Sequence, residues 1–126
     1  MAYEEILRTI TLEAGQNLSA MQYFFVTQAA GDGQIDPTAI TARATGVLQN
    51  APAAAGRAAT VAIAGSVSKV SAGAAFARGA NLAADANGQA ITAAGGGTHI
   101  NAIALEAALA LGDIVTCQVL DGTETV

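Results

Sequence analysis

The sequence predicts an all-β fold, a small barrel or sandwich, on three observations. Short runs of β-branched and aromatic residues recur along the chain, Gly, Asn and Asp turns separate them, and proline and glycine cut the alanine-rich stretches that would otherwise favour helix. The 126 residues fit a single domain spanning 1–126. Hydrophobic residues make up 52 %, but alanine supplies about half of that class, aromatics are 4 % and tryptophan is absent. The core is therefore expected to be thin, because burying an alanine methyl returns roughly a third of what a leucine or phenylalanine side chain does. Association with copies of itself or with a partner is expected to supply part of the stability.

The segment "EEILRTITLEA" alternates at Ile6, Arg8, Ile10 and Leu12 and meets a turn at Gly15 to Asn17, which marks a first strand. "MQYFFVTQA", Met21 to Ala29, holds Tyr23, Phe24, Phe25 and Val26 and reads as a second strand and the densest packing anchor. "GDG" at Gly31 to Gly33 is a hairpin turn, and Ile35 follows before Asp36-Pro37 interrupts. Gly46-Val47-Leu48 is a short apolar strand, and "QNAPAAAGRA" after it is a loop, since no stable helix keeps its proline and glycine inside. Thr60 to Ala64 alternates β-branched and small residues, Gly65-Ser66 bends, and "VSKV" resumes the extended run. Asn87-Gly88 is a two-residue turn between Leu82 and Ile91, and two closing strands fall near His99 to Leu105 and Ile114 to Leu120. Between Ile100 and Leu111, alanine, leucine and Glu106 would also suit a helix; the glycines at 95–97 and Gly112-Asp113 bracket the segment and favour strand followed by loop. The expected core is Phe24, Phe25, Val47, Leu48, Val61, Ile63, Ile103 and Val115.

The formal charge is −5, and only Arg8, Arg43, Arg57, Lys69 and Arg78 are basic, scattered along the chain. Direct nucleic-acid binding needs a clustered basic face and is not expected. No apolar run approaches membrane-spanning length, and the start "MAYEEILRTITL" is acidic where a signal peptide is basic. The protein is expected to stay in the cytosol or to leave it by a route other than secretion. Cys117 has no intrachain partner and alternates with Val115 and Val119, so it reads as a small apolar side chain.

Chemistry is sparsely supplied. His99 is the single histidine and reads as a surface or interface residue beside a glycine-rich loop. Asp32, Asp36, Asp85 and Asn87 look like turn residues and lack the bidentate Glu of a calcium loop. "GSVSK", Gly65 to Lys69, lacks the earlier glycine and the Gly-Lys-Ser/Thr of a phosphate loop, and "GDGQID" lacks the third glycine of a dinucleotide turn. Asn17-Leu18-Ser19 fits a glycosylation acceptor but follows no secretory signal. Nothing in the spacing of Glu13, Glu106 and Asp113 brings them together. The residues favour a structural or binding protein over an enzyme, with no catalytic, metal or cofactor-binding residues assigned.

Taken together, "GVLQNAPAAAGRAATVAIAGSVSKVSAGAAFARG", "DANGQAITAA" and "NAIALEAALALGDIVTCQVL" resemble the phage capsid decoration (capsid cement) family of tailed phages and prophages, with coverage from about Thr9 to Leu120. Two departures stand out: Asn101-Ala102 replaces a glycine common before "IALE", and "ALALGD" is somewhat long. The resemblance implies a small β-barrel or β-tulip-like domain with Ala/Gly-rich loops. It further implies a virion protein, made in the host cytoplasm, that binds the major capsid protein on the outside of an expanded shell. There it would sit as a homotrimer at three-fold and quasi-three-fold positions and cement neighbouring capsomers against the pressure of packed DNA.

Residues 1–8 read equally as an extended N-terminal arm or as the first core strand. As an arm, Tyr3, Glu4, Glu5, Ile6, Leu7 and Arg8 would contact the capsid or a neighbouring copy by adding a strand to an exposed sheet edge. Two other functions are set beside this one. A virion-borne glycan- or host-surface-binding module would ordinarily show exposed aromatic platforms, and here only Tyr3, Tyr23 and three phenylalanines exist. An enzyme would show an activity lost with His99→Ala.

Overall fold

The computed structural model describes residues 7–124, with Thr123 and Glu124 by their backbone alone. The described chain is all-β, with ten strands: β1 (Thr9–Ala14), β2 (Phe25–Gln28), β3 (Gln34–Pro37), β4 (Gly46–Leu48), β5 (Ala58–Ala62), β6 (Val67–Ser71), β7 (Asn81–Ala84), β8 (Ala90–Thr92), β9 (His99–Ala104) and β10 (Ile114–Glu124). The first five close a barrel in the order β1-β3-β2-β4-β5, and the last five form a sheet in the order β6-β10-β9-β7-β8. An isolated parallel bridge from Ala72 to Ala90 draws the two ends of that second sheet toward each other. Gly65-Ser66 is where the chain leaves one sheet for the other. Gly65 takes φ of +95°, and its N–H donates to the Val119 carbonyl at 3.0 Å.

Alternation along β2 and β4 decides how the sheets meet. Val26 and Leu48 point into the barrel with Leu18, Ile35 and Val61. Phe25 and Val47, one residue earlier in each strand, point the other way and join Val70, Leu82, Cys117 and Val119. The rest of that second cluster is largely alanine: Ala72, Ala84, Ala90, Ala102 and Ala104. Small side chains let the second sheet lie close against the barrel wall, and the main chain exploits the approach. Phe25 N–H donates to the Gly88 carbonyl (2.7 Å) and Ser71 N–H to the Tyr23 carbonyl (2.9 Å) across the layer, while Tyr23 N–H donates within the barrel to the Leu48 carbonyl (2.7 Å). Gly88 is required twice over: φ is +91°, and a Cβ would stand 2.9 Å from the Phe25 carbonyl oxygen. Asn101, buried in β9, accepts from Ala44 N–H (3.0 Å) and donates to the Ala42 carbonyl (3.1 Å), tying the second sheet to the loop before β4.

Most predicted elements are present, including the loop after β4, the Asn87-Gly88 hairpin and the strand-then-loop reading after Ile100. Three details differ. The second strand starts at Phe25 instead of Met21, because residues 21–24 turn: Phe24 N–H donates to the Met21 carbonyl and Tyr23 adopts φ of +69°. Asp36-Pro37 belongs to β3, since the side of Pro37 that lacks an N–H faces away from β2, where β1 has already ended. Among the expected core residues, Phe25, Val47, Leu48, Val61 and Val115 are buried, whereas Phe24, Ile63 and Ile103 are half-buried.

Two outcomes follow for stability. Phe25→Ala should cost about 3–5 kcal/mol in chemical denaturation and Phe24→Ala clearly less, because only the first leaves a closed void. Burial pushes the Cys117 thiol from its ordinary 9.0 up to about 12. A disulfide reagent should therefore label it only upon unfolding. Between these two values the unfolded chain gives up the thiol proton and the native chain keeps it, so stability should fall as pH rises through that window.

Candidate interaction surfaces

The residues with chemical potential are occupied by structure. The Nδ1–H of His99 donates to the Gly122 carbonyl at 2.6 Å, fastening β9 to the far part of β10. Glu106 Oε1 accepts from both Thr116 N–H (3.0 Å) and Thr116 Oγ1–H (2.6 Å). Asp113 Oδ2 accepts from Leu109 N–H (2.8 Å) and Ala110 N–H (3.1 Å). These two carboxylates hold the β9–β10 connection, while Glu13 lies on the barrel strand β1. In the Gly65–Lys69 run, Ser66 Oγ accepts from Arg8 N–H (2.8 Å), and Ser68 Oγ accepts from Gln49 Nε2 (2.8 Å). Asp85 Oδ1 accepts from Asn87 and Gln89 N–H, and Asn17 Oδ1 from Ser19 N–H, both as turn residues. Among the described residues no three of His, Cys, Asp and Glu gather to hold a metal ion.

What the molecule displays instead is apolar surface on a firmly held loop. Between β9 and β10, Leu109 is 85 % and Leu111 69 % exposed, with Ile114 (42 %) and Leu105 beside them in sequence. Such leucines would ordinarily fold inward from a loose loop, but this one is fixed along its length. Phe76 and Ala108 exchange two main-chain hydrogen bonds (3.1 and 3.0 Å) with the Phe76 ring buried. Gly112 N–H donates to the Ala72 carbonyl and Ala72 N–H to the Asp113 carbonyl, both at 2.8 Å. Leu109 and Leu111 are thus held outward by main-chain bonds on either side of them. The sequence placed Leu109 and Leu111 in a segment read as loop after a strand, but nothing in their spacing announces that they are exposed.

Of the six residues assigned to an N-terminal contact, Tyr3, Glu4, Glu5 and Ile6 lie outside the described residues. Leu7 and Arg8 are exposed. The Arg8 main chain is bound along the Ile63–Ser66 segment, its N–H donating to Ser66 Oγ (2.8 Å) and its carbonyl accepting from Ile63 N–H (2.8 Å) and from Ser66 Oγ–H (3.1 Å). From Arg8 onward the segment therefore runs as the approach to β1, along β5.

No curated protein matches the sequence significantly. Among solved structures, the crystal structure of the head fiber gp8.5 N base in bacteriophage phi29 is similar in fold, with a TM-score of 0.72 at 20 % identity, covering 96 % of this chain and 100 % of that one. The family model of the phage cement proteins matches residues 6–119. That span takes in both sheets, the held leucine loop and the seam between the sheets, and the chain belongs to the phage cement protein family.

Proposed function

We propose that this protein is a capsid cement without catalytic activity. It binds the outer surface of an expanded icosahedral shell against the major capsid protein, as trimers at three-fold and quasi-three-fold positions. There it joins neighbouring capsomers against the outward pressure of packaged DNA. The observation that carries this reading is the rigid loop bearing Leu109 and Leu111, a ready-made apolar contact on a member of the phage cement family. Cementing requires no reaction: contact area that must be broken before capsomers part, multiplied by the symmetry of the shell, raises the work of disruption. The single domain, 1–126, supplies that contact; Tyr3 to Leu7 add to it by strand addition to a sheet edge of the shell, and Arg8, whose main chain is bound within the domain, adds its side chain.

Co-sedimentation with expanded, DNA-free shells lacking the protein tests this directly. The wild type should saturate near one copy per capsid subunit. The double variant Leu109→Asp/Leu111→Asp should fold normally, since both side chains are exposed, and should lose at least about ten-fold in affinity, the effect of removing one or two apolar anchors from an interface. Binding by neither protein would remove the cement reading and turn attention to host-surface glycans. Equal binding by both would move the contact away from this loop. Deleting residues 1–8 should leave the domain folded and weaken shell binding; unchanged binding would exclude the segment from the interface.

A further inference from the structure

The first described residues aim the rest of the N-terminus at the second sheet. β1 runs antiparallel to β5 with Thr9 opposite Ala62, so the residues before Thr9 pass beyond the end of β5 toward the junction where β6 begins. Arg8 is fastened there, its N–H on Ser66 Oγ and its carbonyl on Ile63 N–H, each at 2.8 Å. Six residues precede the exposed Leu7. Extended, they reach about 20 Å. That is enough to follow the five residues of β6 from one end to the other.

The face of the second sheet that lies along this path is apolar, with two fixed charges. Val70, Cys117, Val119, Ala102 and Ala104 point into the shared layer, so their neighbours along the strands point outward. Val67, Gln118 and Ile103 stand opposite one another in one row across β6, β10 and β9; Lys69 stands opposite Thr116, and Ser71 opposite Ile114. Val67 and Ile103 are half-buried, and Ile114 is 42 % exposed. Both charges are held in place. Lys69 Nζ lies 5.7 Å from the centre of the Tyr23 ring, and Glu106 Oε1 accepts from Thr116 Oγ1–H at 2.6 Å. Lys69 is the one lysine or arginine in the sequence of these five strands.

We propose that in the free protein residues 1–6 dock in cis on this outer face, running back along β6 with Glu5 against Lys69. The register comes from the shared anchor of Arg8 and Ser66: Glu5 is three residues before Arg8 and Lys69 three after Ser66, so two extended segments leaving that point bring the charges level. Alternation turns Tyr3 and Leu7 to the sheet with Glu5. Leu7 then falls level with Val67, and Tyr3 with Ser71 and the Ile114 opposite it. An apolar–acidic–apolar face so meets an apolar–basic–apolar track, and the amino terminus, a cation four residues beyond Glu5, comes within reach of the Glu106 carboxylate. The segment covers its own sheet until a stronger partner takes it. Binding to a shell exchanges this contact for the sheet edge of the shell, and that last step alone rests on the proposed function.

The docking needs no shell and is read in the free, full-length chain. Glu5→Cys paired with Lys69→Cys should close an intramolecular disulfide under oxidised glutathione at least about ten-fold faster than Glu5→Cys paired with Gln28→Cys, because docking raises the effective concentration at one site only. Gln28 shares a groove with Ile63 and Ala64 on the barrel side of the same junction, and the buried Cys117 does not compete. In methyl NMR, Tyr3→Ala should shift the Ile114 methyl, which loses the ring beside it, and leave the barrel-lining Ile35 unmoved. Glu5→Lys should move Ile114 in the same direction, and Glu5→Lys/Lys69→Glu should return it toward the wild-type position. Equal disulfide rates with Lys69→Cys and Gln28→Cys, or an Ile114 methyl indifferent to Tyr3→Ala and Glu5→Lys, would overturn the proposal. Neither result depends on whether the protein binds a shell.

Discussion

The structure depends on two strands that are buried on both faces. β2 and β4 send Val26 and Leu48 into the barrel and Phe25 and Val47 into the layer shared with the second sheet. Where both faces are covered, a one-residue shift would exchange the two sets, so these four side chains hold β2 and β4 in register with each other. Everything beyond the barrel then follows from how closely the second sheet can approach Phe25 and Val47.

That approach is where the alanine-rich composition finds its use. A layer built from Ala72, Ala84, Ala90, Ala102 and Ala104 offers little apolar area per residue, yet it brings main chains near enough to hydrogen-bond across the layer. Gly46 is part of the same economy, because a Cβ there would overlap the Ala62 carbonyl oxygen as β4 settles against β5. Bonds such as Phe25 N–H to Gly88 and Ser71 N–H to Tyr23 tie the two halves where larger side chains would do so in a thicker core. The strained turn at Tyr23, with φ of +69°, exists to place those groups.

These features were unequally legible in the sequence. Strands bounded by explicit turn chemistry, such as β7 and β8 around Asn87-Gly88, could be read from local signals because the turn residues act locally. The start of β2 could not, because "MQYFF" has every mark of a strand and only the tertiary demand on Tyr23 turns it. Phe24, Ile63 and Ile103 were indistinguishable from core by type; Ile103 alternates with the buried Ala102 and Ala104 and points away from the shared layer, whereas Phe24 lies in the turn before β2 and Ile63 just past the end of β5. Asn101 read as a departure from a family pattern, while its amide spans the seam to Ala42 and Ala44. The exposed leucines were hidden for a different reason: besides the local Asp113 turn, the loop is held by the bridge from Phe76 to Ala108 and the bonds of Ala72 to Gly112 and Asp113, which are contacts between separate parts of the chain.

The thin-cored domain keeps Leu18, Leu48 and Leu82 inside and holds Leu109 and Leu111 outward. Membership of the phage cement family supports association with a capsid, and the proposed binding would act through many weak contacts repeated by the symmetry of the shell. The central claim concerns the shell more than the protein, and the most direct measurement is the disruption temperature of expanded shells with and without saturating protein. An upward shift that scales with occupancy is the predicted result. Saturated shells that come apart at the same temperature as bare ones would show that the protein decorates without cementing.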